Sequence, residues 1–191
     1  MLKTERLILR QWQTRDYPEF AKLNADPKVI EFFPTCLNAE ESKALAQRLQ
    51  ALIAQQGWGF WVVELKATQA FIGILGLNSV SSILPFSPAI EIGWRLHSAY
   101  WGQGFATEAA QAALQFGFES LQLTEIIAFT ALSNLRSQRL IQGLGMQREA
   151  LNFKHPALAK AHPLAKHCLY RLSQQQYYNT QRLFHPKPHH N

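Results

Sequence analysis

Cysteine, charge and long apolar runs are all scarce in this sequence. Its 191 residues include only Cys36 and Cys168, so a disulfide framework is not expected and a reducing cytoplasm fits. No apolar run approaches the roughly 20 residues of a membrane helix. The opening MLKTERLILR places charges among its aliphatic residues, unlike a signal peptide. Because 47% of the residues are hydrophobic, we expect one folded domain over residues 1–180 and a mobile tail over residues 181–191.

Charged residues form only 17% of the chain, and their signs are unbalanced. Lys and Arg number 19 and Asp and Glu number 13, so the formal net charge is +6 and the pI about 9.5. A basic balance favours anionic partners such as nucleic acid, acidic proteins or a phosphate-rich small molecule. The basic residues are spread out and form no run, which leaves a simply basic protein as an open alternative. Nucleic acid is the weaker partner hypothesis, and its binding would depend steeply on salt.

Hydrophobic periodicity and capping residues predict the order of the elements. The first half is predicted to contain strand 6–10, a helix from Asp16 as N-cap to Asn24, a helix from the capping pattern at Asn38 to Gln56, and strands 60–65, 71–77 and 89–96. The second half is predicted to contain helix 107–121, strand 125–131, a helix from Asn134 to Gly143, and strands 146–153 and 168–172. This order predicts an α+β fold, with helices flanking one central mixed, mostly antiparallel sheet.

The segment between residues 91 and 108 carries the clearest chemical signal. A strand ends near Leu96, a turn with Gly102 and Gly104 follows, and a helix is predicted to start near Thr107. Glycines let successive backbone N–H groups face one point, and a helix N-terminus adds free N–H groups and partial positive charge. Such a turn favours an anion, with pyrophosphate as the natural ligand. The segment has neither the Lys-Ser/Thr ending of a P-loop nor the full GxGxxG spacing of a dinucleotide fold.

This segment resembles the acyl-CoA loop of the GNAT superfamily of N-acetyltransferases. The family pattern Gln/Arg-x-x-Gly-x-Gly/Ala is matched at Gly104 and Ala106, whereas its first position is Trp101. That departure is common in the ribosomal-protein N-terminal (RimJ/RimL-type) branch, whose YWGxGxATEA run is similar to residues 100–109. The opening TERLILR, the segment NLRS at residues 134–137 and the later GLGM also resemble that branch, so the likeness spans nearly the whole chain.

The resemblance implies a cofactor, acetyl-CoA as acyl donor, and a set of residues that hold it. The amides from Gln103 to Thr107 would bind the pyrophosphate, the strand from Trp94 to His97 would line the pantetheine arm, and Asn134 would contact the CoA arm. The cofactor-binding residues implied are Trp94, Arg95, Leu96, His97, Gln103, Gly104, Phe105, Ala106, Thr107, Asn134 and Ser137. Arg136 and Arg139 are alternatively phosphate contacts or exposed helix-surface residues.

Direct attack of an amine on the thioester needs a neutral amine and a proton for the departing thiolate. Glu91 is the candidate base or water-positioning residue, and a structural ion pair is its alternative role. Ser137 is the candidate proton donor, because Ile141 stands where related enzymes often have a tyrosine acid. A hydrogen bond within its own helix is the alternative role for Ser137. We expect residues 32–34 to shape the acceptor pocket and one of Trp58, Phe60 and Trp61 to edge it.

The sequence allows more than one acceptor and more than one class of function. The acceptor is a protein N-terminus, an amino acid, an aminoglycoside or another small amine, and the basic balance argues modestly against a polycation. A catalytically silent CoA-binding module is the alternative from another class, because fold alone does not fix function. His155, His162 and His167 lie on a loop without metal-ligand spacing, so no metal is expected. We expect no membrane partner, and a monomer or a homodimer.

Overall fold

The computed structural model describes residues 1–184, which form nine strands and six α-helices. The strands are β1 (Leu2–Lys3), β2 (Leu7–Arg10), β3 (Phe60–Leu65), β4 (Ala70–Ser79), β5 (Ile90–Leu96), β6 (Glu125–Ala131), β7 (Gln147–Arg148), β8 (Phe153–Lys154) and β9 (Lys166–Ser173). The helices are α1 (Asp16–Ala25), α2 (Pro27–Ile30), α3 (Ala39–Gln56), α4 (Phe105–Gln115), α5 (Leu135–Gly143) and α6 (Gln174–Phe184). Within this range, no helix combines the length and apolarity needed to cross a membrane.

The strands form one sheet in the order β1-β2-β3-β4-β5-β6-β9-β7, and β8 also pairs with β9. Across the described residues, β5 and β6 pair in parallel and every other neighbouring pair is antiparallel. Helices pack against this sheet, with α3 against β3 and α4 against β4 and β5. The prediction of a mixed, mostly antiparallel sheet flanked by helices is confirmed.

The parallel neighbours β5 and β6 separate soon after they meet. Their pairing is confined to Glu91 opposite Ile127, whereas β4 and β5 stay paired from Ser79 and Ile90 to Gly73 and Leu96. Beyond the contact point, the remaining residues of both strands line the same cavity. The sheet is therefore open at its centre, between two strands whose backbone groups face the gap instead of each other.

The two faces of the sheet are covered by different helices. Successive side chains of β5 point to opposite faces, so each residue of β5 lies on one face or the other. The Leu77 side chain packs against Gly117, where a Cβ atom would lie 3.1 Å from its Cδ1 atom. Gly117 lies just after α4, so the face of the sheet that carries Leu77 is the face that α4 covers. Asn78 and its partner Glu91 occupy the opposite face, together with Arg95, whose guanidinium reaches Asn24 of α1. Side chains at positions 91 and 95 therefore point toward the α1 side of the sheet.

Many of the predicted boundaries agree with the structure because local capping chemistry sets them. Asn38 caps α3 in a full capping box with Glu41, and Gly57 ends that helix in the left-handed conformation at φ 86°. Asn134 caps α5 by accepting a hydrogen bond from the Ser137 amide at 3.1 Å. The strands β3 and β6 have the predicted limits, residues 60–65 and 125–131.

Asp16 was predicted as a helix N-cap, and this prediction is wrong. Asp16 is already the first residue of α1, whose cap position is Arg15 without a side-chain bond. Its carboxylate instead accepts from the Gln13 amide at 2.7 Å and forms two hydrogen bonds to the Arg10 guanidinium at 2.7 and 2.8 Å. A buried cation competes better for a carboxylate than a helix amide does.

The predicted strand over residues 146–153 is also wrong. Only residues 147–148 and 153–154 pair with β9, and an irregular segment separates these two short ladders. The helix predicted over residues 107–121 begins earlier, at Phe105, and gives way to a π-helical turn at Phe116–Ser120. The helices α2 and α6 and the strand β1 were not predicted.

The expected tail at residues 181–191 is described only in part. Helix α6 continues to Phe184 and therefore covers the beginning of that segment. Residues 185–191 lie outside the described residues. A hydrophobic cluster that runs from Leu7 to Tyr177 joins both ends of the described chain.

Candidate functional site

A cavity of about 910 Å³ occupies the opening between β5 and β6. This volume is at the upper end of the range for small-molecule sites, roughly 300–1,000 Å³. The cavity wall includes the turn before α4, the α2–α3 connection and the loop between β8 and β9. Phe32, Phe33, Pro34 and Phe60, which the sequence placed at an acceptor pocket, all line this cavity.

The turn before α4 presents unpaired backbone N–H groups to the cavity. Gly102 and Gly104 adopt φ values of 74° and 80°, a region that disfavours residues with a Cβ atom. The first hydrogen bond into the helix runs from the Glu108 amide to the Gly104 carbonyl at 3.0 Å. The amides of residues 105–107 therefore have no partner among the described residues, and all three residues line the cavity. Free donors at a helix N-terminus form a binding site for an anion.

Arg6 supports this turn from outside. Its guanidinium donates to the Gln103 carbonyl at 3.0 Å, pairs with Glu108 at 2.6 Å and lies 4.4 Å above the Phe105 ring. These contacts hold the chain at residues 103, 105 and 108, so the backbone N–H groups of the turn are in position before any ligand binds. Sequence reasoning assigned Arg6 only to the first strand, because its contacts depend on residues about 100 positions away.

Glu91 lines the cavity from the α1 side of β5. Asn78 donates a hydrogen bond to its Oε1 atom at 3.2 Å, and no cation lies within ion-pair distance among the described residues. Among the described residues, Glu91 therefore has no partner for the structural ion pair that was its alternative role. Burial raises the pKa of the Glu91 carboxyl, and the hydrogen bond from Asn78 lowers it by less. A carboxylate with this environment is suited to accept a proton.

Asn134 and Ser137 lie on the α5 side of the cavity. The Asn134 oxygen is used to cap the helix, which leaves its amide nitrogen without a partner among the described side chains. The Ser137 hydroxyl likewise has no hydrogen-bond partner in that part of the chain, although its backbone amide does. Ile141 is buried at the cavity wall, one turn further along α5. The cavity therefore presents a hydroxyl but no tyrosine at this position of the helix.

Most of the residues implied as cofactor contacts come together on this cavity. Those that line it are Trp94, Arg95, Leu96, Gly104, Phe105, Ala106, Thr107, Asn134 and Ser137. His97 and Gln103 do not. The His97 ring meets the Phe71 ring edge-on at 5.9 Å, and the Gln103 side chain donates to the Ala99 carbonyl at 3.0 Å.

The cavity wall also contains charged and titratable residues for which the sequence indicated another role or, for Lys28, none. The rings of His155 and His167 lie 5.2 Å apart on this wall, and burial lowers the pKa of both. Lys28, Arg95 and Arg136 also line the cavity, whereas Glu91 is its single carboxylate among the described residues. Across the described residues, no group of three or more potential metal ligands occurs. The spacing of these residues in sequence gave no signal, because five separate segments supply them: α2, β5, α5, β9 and the loop between β8 and β9.

Comparison with known proteins agrees with this geometry. A family model described as an acetyltransferase (GNAT) domain matches residues 6–147. An uncharacterised N-acetyltransferase, p20 of Bacillus licheniformis, is 31% identical over 152 residues, which are 78% of this chain and 84% of that protein. A GNAT-family acetyltransferase from Bacillus anthracis superposes with a TM-score of 0.77 at 24% identity, over 91% of this chain and 98% of that one.

A second solved structure shares the fold at lower identity. It is a spermidine N-acetyltransferase from Vibrio cholerae in complex with CoA and spermine. It superposes with a TM-score of 0.71 at 20% identity and covers 91% of this chain and 99% of that chain. At this identity the likeness shows the fold alone.

Proposed function

Because the chain belongs to the GNAT acetyltransferase family and is therefore an acetyltransferase, we propose that it transfers an acetyl group from acetyl-CoA to a primary amine by direct attack in a ternary complex. One observation carries this proposal. The cavity connects the unpaired amides of residues 105–107 to the half-buried carboxyl of Glu91 through the opening between β5 and β6. A single elongated ligand in this opening would meet an anion site at one end and a candidate base at the other.

The residues present fit acetyl-CoA as the donor. The free amides at the start of α4 suit its pyrophosphate, and the exposed backbone edges of β5 and β6 suit an extended arm that carries amide groups. The Asn134 amide nitrogen is a further donor on the same wall. When bound, acetyl-CoA supplies the activated thioester; the protein supplies binding, orientation and proton transfer.

Two side chains are proposed to handle the protons. Glu91 accepts the proton that the attacking amine loses as the C–N bond forms, directly or through one water molecule. The Ser137 hydroxyl donates a proton to the sulfur as the C–S bond breaks and takes one from a water molecule in the same step, so that no alkoxide is left. The support is that both residues line the cavity without competing side-chain ion pairs among the described residues. Proton transfer by a positioned side chain contributes about 10²–10⁴ to the rate.

A protein N-terminal α-amine is the first candidate acceptor, following the resemblance to the RimJ/RimL-type branch. An α-amino group has a pKa near 7.8, so at pH 7.5 its deprotonation costs about 0.4 kcal/mol, against about 4 kcal/mol for a lysine side chain. A small amine such as an amino acid or an aminoglycoside is the alternative. A polyamine is disfavoured, because Lys28, Arg95 and Arg136 outnumber the one carboxylate of the cavity wall.

The proposal includes a reducing compartment, the cytoplasm, as the place where the enzyme works. Its support is the state of the two cysteines, which are free thiols, Cys36 exposed and Cys168 buried. Free thiols are the usual state of cysteine in reducing compartments.

Gly104→Val tests the anion site. Valine disfavours the left-handed conformation at this position, and its Cβ would lie 3.3 Å from an Arg6 nitrogen. We expect calorimetric titration to show micromolar acetyl-CoA binding to the wild-type protein and at least tenfold weaker binding to the variant, a loss of about 1.4 kcal/mol or more. No binding to folded wild-type protein would overturn the proposed function.

Gly57→Val is the matched control. Gly57 has φ 86°, nearly the value at Gly104, but it ends α3 and does not line the cavity. Both variants therefore carry a similar backbone penalty, about 1–2 kcal/mol. Only Gly104→Val is expected to lose acetyl-CoA affinity. An equal loss in both variants would trace the effect to general destabilisation.

Ser137→Ala tests the proton donor. We expect kcat to fall about tenfold, less than the usual contribution of a general acid, because water can reach this half-buried position. Ser133→Ala is the control, since Ser133 is exposed in the preceding turn and does not line the cavity. Steady-state kinetics at saturating acetyl-CoA would measure the change. Unaltered turnover in Ser137→Ala would remove this residue from the mechanism.

A further inference from the structure

Arg95 places a positive charge on the part of the cavity wall that adjoins α1 and the α2–α3 connection. It lies on the same face of β5 as Glu91, four residues along the strand, which corresponds to roughly 13 Å between their Cα atoms. Its guanidinium stacks on the Phe33 ring at 3.9 Å and donates to the Asn24 side-chain oxygen. The contacts of Arg95 therefore come from α1 and the α2–α3 connection, and the turn that begins α4 contributes none of them.

The guanidinium lacks a counterion. Its Nε atom is buried without a hydrogen-bond partner, and no carboxylate lies within ion-pair distance among the described residues. Burial lowers the pKa of Arg95 to about 10, so the group is still charged at neutral pH. By contrast, Arg6, Arg10, Arg15, Arg136 and Arg171 all pair with carboxylates. Arg95 is half-buried, and an unpaired charge becomes more costly as it is withdrawn from water, so a ligand that pairs with it would be stabilising.

Asn24 orients this charge without neutralising it. The Asn24 side chain is buried, and its amide nitrogen donates to the Ser42 hydroxyl at 3.0 Å. This bond directs the Asn24 oxygen toward Arg95. The guanidinium is therefore held in place on one side, and its remaining donors are available to a ligand in the cavity.

We propose that Arg95 binds a carboxylate carried by the same molecule as the acceptor amine. This proposal rests on the proposed function and favours its small-amine alternative over a protein N-terminus, with an amino acid or another amine that bears an acid group as the substrate. A planar guanidinium pairs with a carboxylate through two parallel hydrogen bonds, and stacking on an aromatic ring leaves its edge free to do so. The phosphates of CoA are the other source of negative charge, and the experiment distinguishes the two.

The first arm compares matched acceptors with the wild-type enzyme. A panel of α-amino acids and ω-amino acids is assayed, each beside its primary amide. We expect kcat/KM to favour the acid over its amide by at least about 30-fold, which corresponds to about 2 kcal/mol. The amide has the less basic amine and is the more readily deprotonated, so a preference for the acid cannot come from the amine. Equal kcat/KM values for acid and amide would overturn the proposal and leave acetyl transfer intact.

The second arm removes or occupies the charge. In Arg95→Met, the ratio of kcat/KM for the acid to kcat/KM for its amide (the acid-to-amide ratio) is expected to fall close to one. Asn24→Asp places a carboxylate beside the guanidinium and is expected to lower the ratio although Arg95 is still present. This variant decides the question even where Arg95→Met fails to fold. Arg48→Met is the control for a lost arginine, since Arg48 is exposed on α3 and away from the cavity; its ratio is expected to match the wild type.

The third arm measures CoA and 3′-dephospho-CoA binding to the same variants. If Arg95→Met weakens the binding of CoA tenfold while the acid-to-amide ratio is unchanged, the guanidinium serves a CoA phosphate and the proposal is overturned. If the wild-type protein neither binds acetyl-CoA nor acetylates any amine of the panel, the proposed function itself fails. If the acid-to-amide ratio in Arg95→Met falls close to one while CoA binding is unchanged, the result supports Arg95 as the residue that binds the carboxylate of the acceptor.

Discussion

Glu91→Gln is expected to lower kcat/KM about 100-fold, at the lower end of the range for a general base. The substitution keeps the size of the side chain and its hydrogen bond to Asn78, but it removes the atom that accepts the proton. Steady-state kinetics with a turned-over amine would measure the loss. Glu125→Gln is the matched control, because Glu125 pairs with Arg171 and does not line the cavity. A change below threefold in Glu91→Gln would exclude a role as base.

The pH profile separates a base from a structural residue. Glu91 must be ionised to accept a proton, so kcat/KM is expected to rise with pH through the raised pKa of this carboxyl. That limb should vanish in Glu91→Gln, while the limb that belongs to the amine persists. Asn78→Ala removes the hydrogen bond that lowers the pKa of Glu91, so the same limb should move to higher pH. A limb that stays in place in both variants would assign it to another group.

The stability of Glu91→Gln is a second measurement, and it is expected to rise while the activity falls. The pKa of Glu91 is raised in the folded protein, so its contribution to stability is full below the ordinary pKa of glutamate and is lost as pH rises through the folded value. At neutral pH the glutamine variant should therefore unfold at a higher temperature than the wild type. Lower activity with higher stability would show a group kept for function; lower stability would contradict burial as the cause of the shift.

Arg10→Met is expected to destabilise the protein by about 3–5 kcal/mol, the cost of removing one partner from a buried ion pair. The Arg10 guanidinium contacts Asp16 and Glu64 at 2.7 Å each, and the exposed fractions of the three residues are 8%, 2% and 7%. Burial lowers the pKa of Arg10, but its hydrogen bonds to both carboxylates outweigh burial and raise it. Without the cation, two buried carboxylates lose their main counterion. Urea unfolding would measure the difference.

Two further variants show whether charge causes this loss. The triple variant Arg10→Met/Asp16→Asn/Glu64→Gln removes all three charges and should recover more than half of the stability, because uncharged replacements of a buried ion network are often nearly neutral. Lys22→Met breaks the exposed pair with Glu19 at 2.8 Å and should change stability by less than about 1 kcal/mol. A loss below 1 kcal/mol in Arg10→Met would contradict the buried network.

Local chemistry allowed much of the fold to be predicted from sequence. Asn38 and Glu41 mark the start of α3, Gly57 marks its end, and the runs at residues 60–65 and 125–131 are apolar enough to be strands in any context. Two of the failures have one cause, which is competition from residues that lie outside the element itself. Asp16 binds Arg10 instead of capping a helix, and residues 146–153 pair with β9 only at their two ends.

The candidate site divides in the same way. The glycine turn at residues 102–104 could be read from the sequence, because left-handed conformations and helix N-termini depend on neighbouring residues. The side chains that complete the cavity could not. Arg95 was expected only to line the arm of the cofactor, whereas the alternation along β5 and the packing of α1 turn its guanidinium toward Asn24 and Phe33.

The sequence by itself indicated the turn that suits an anion, most of the longer strands and helices, and the family of the chain, because capping residues, glycines and apolar runs are local signals and the family motifs keep their order along the chain. Only the tertiary structure decided how β5 and β6 separate, which face Glu91 and Arg95 share, and that no carboxylate pairs with that arginine among the described residues. The physical reason is that burial and charge pairing depend on segments brought together from across the chain, such as Asn24 and Arg95, which are 71 positions apart.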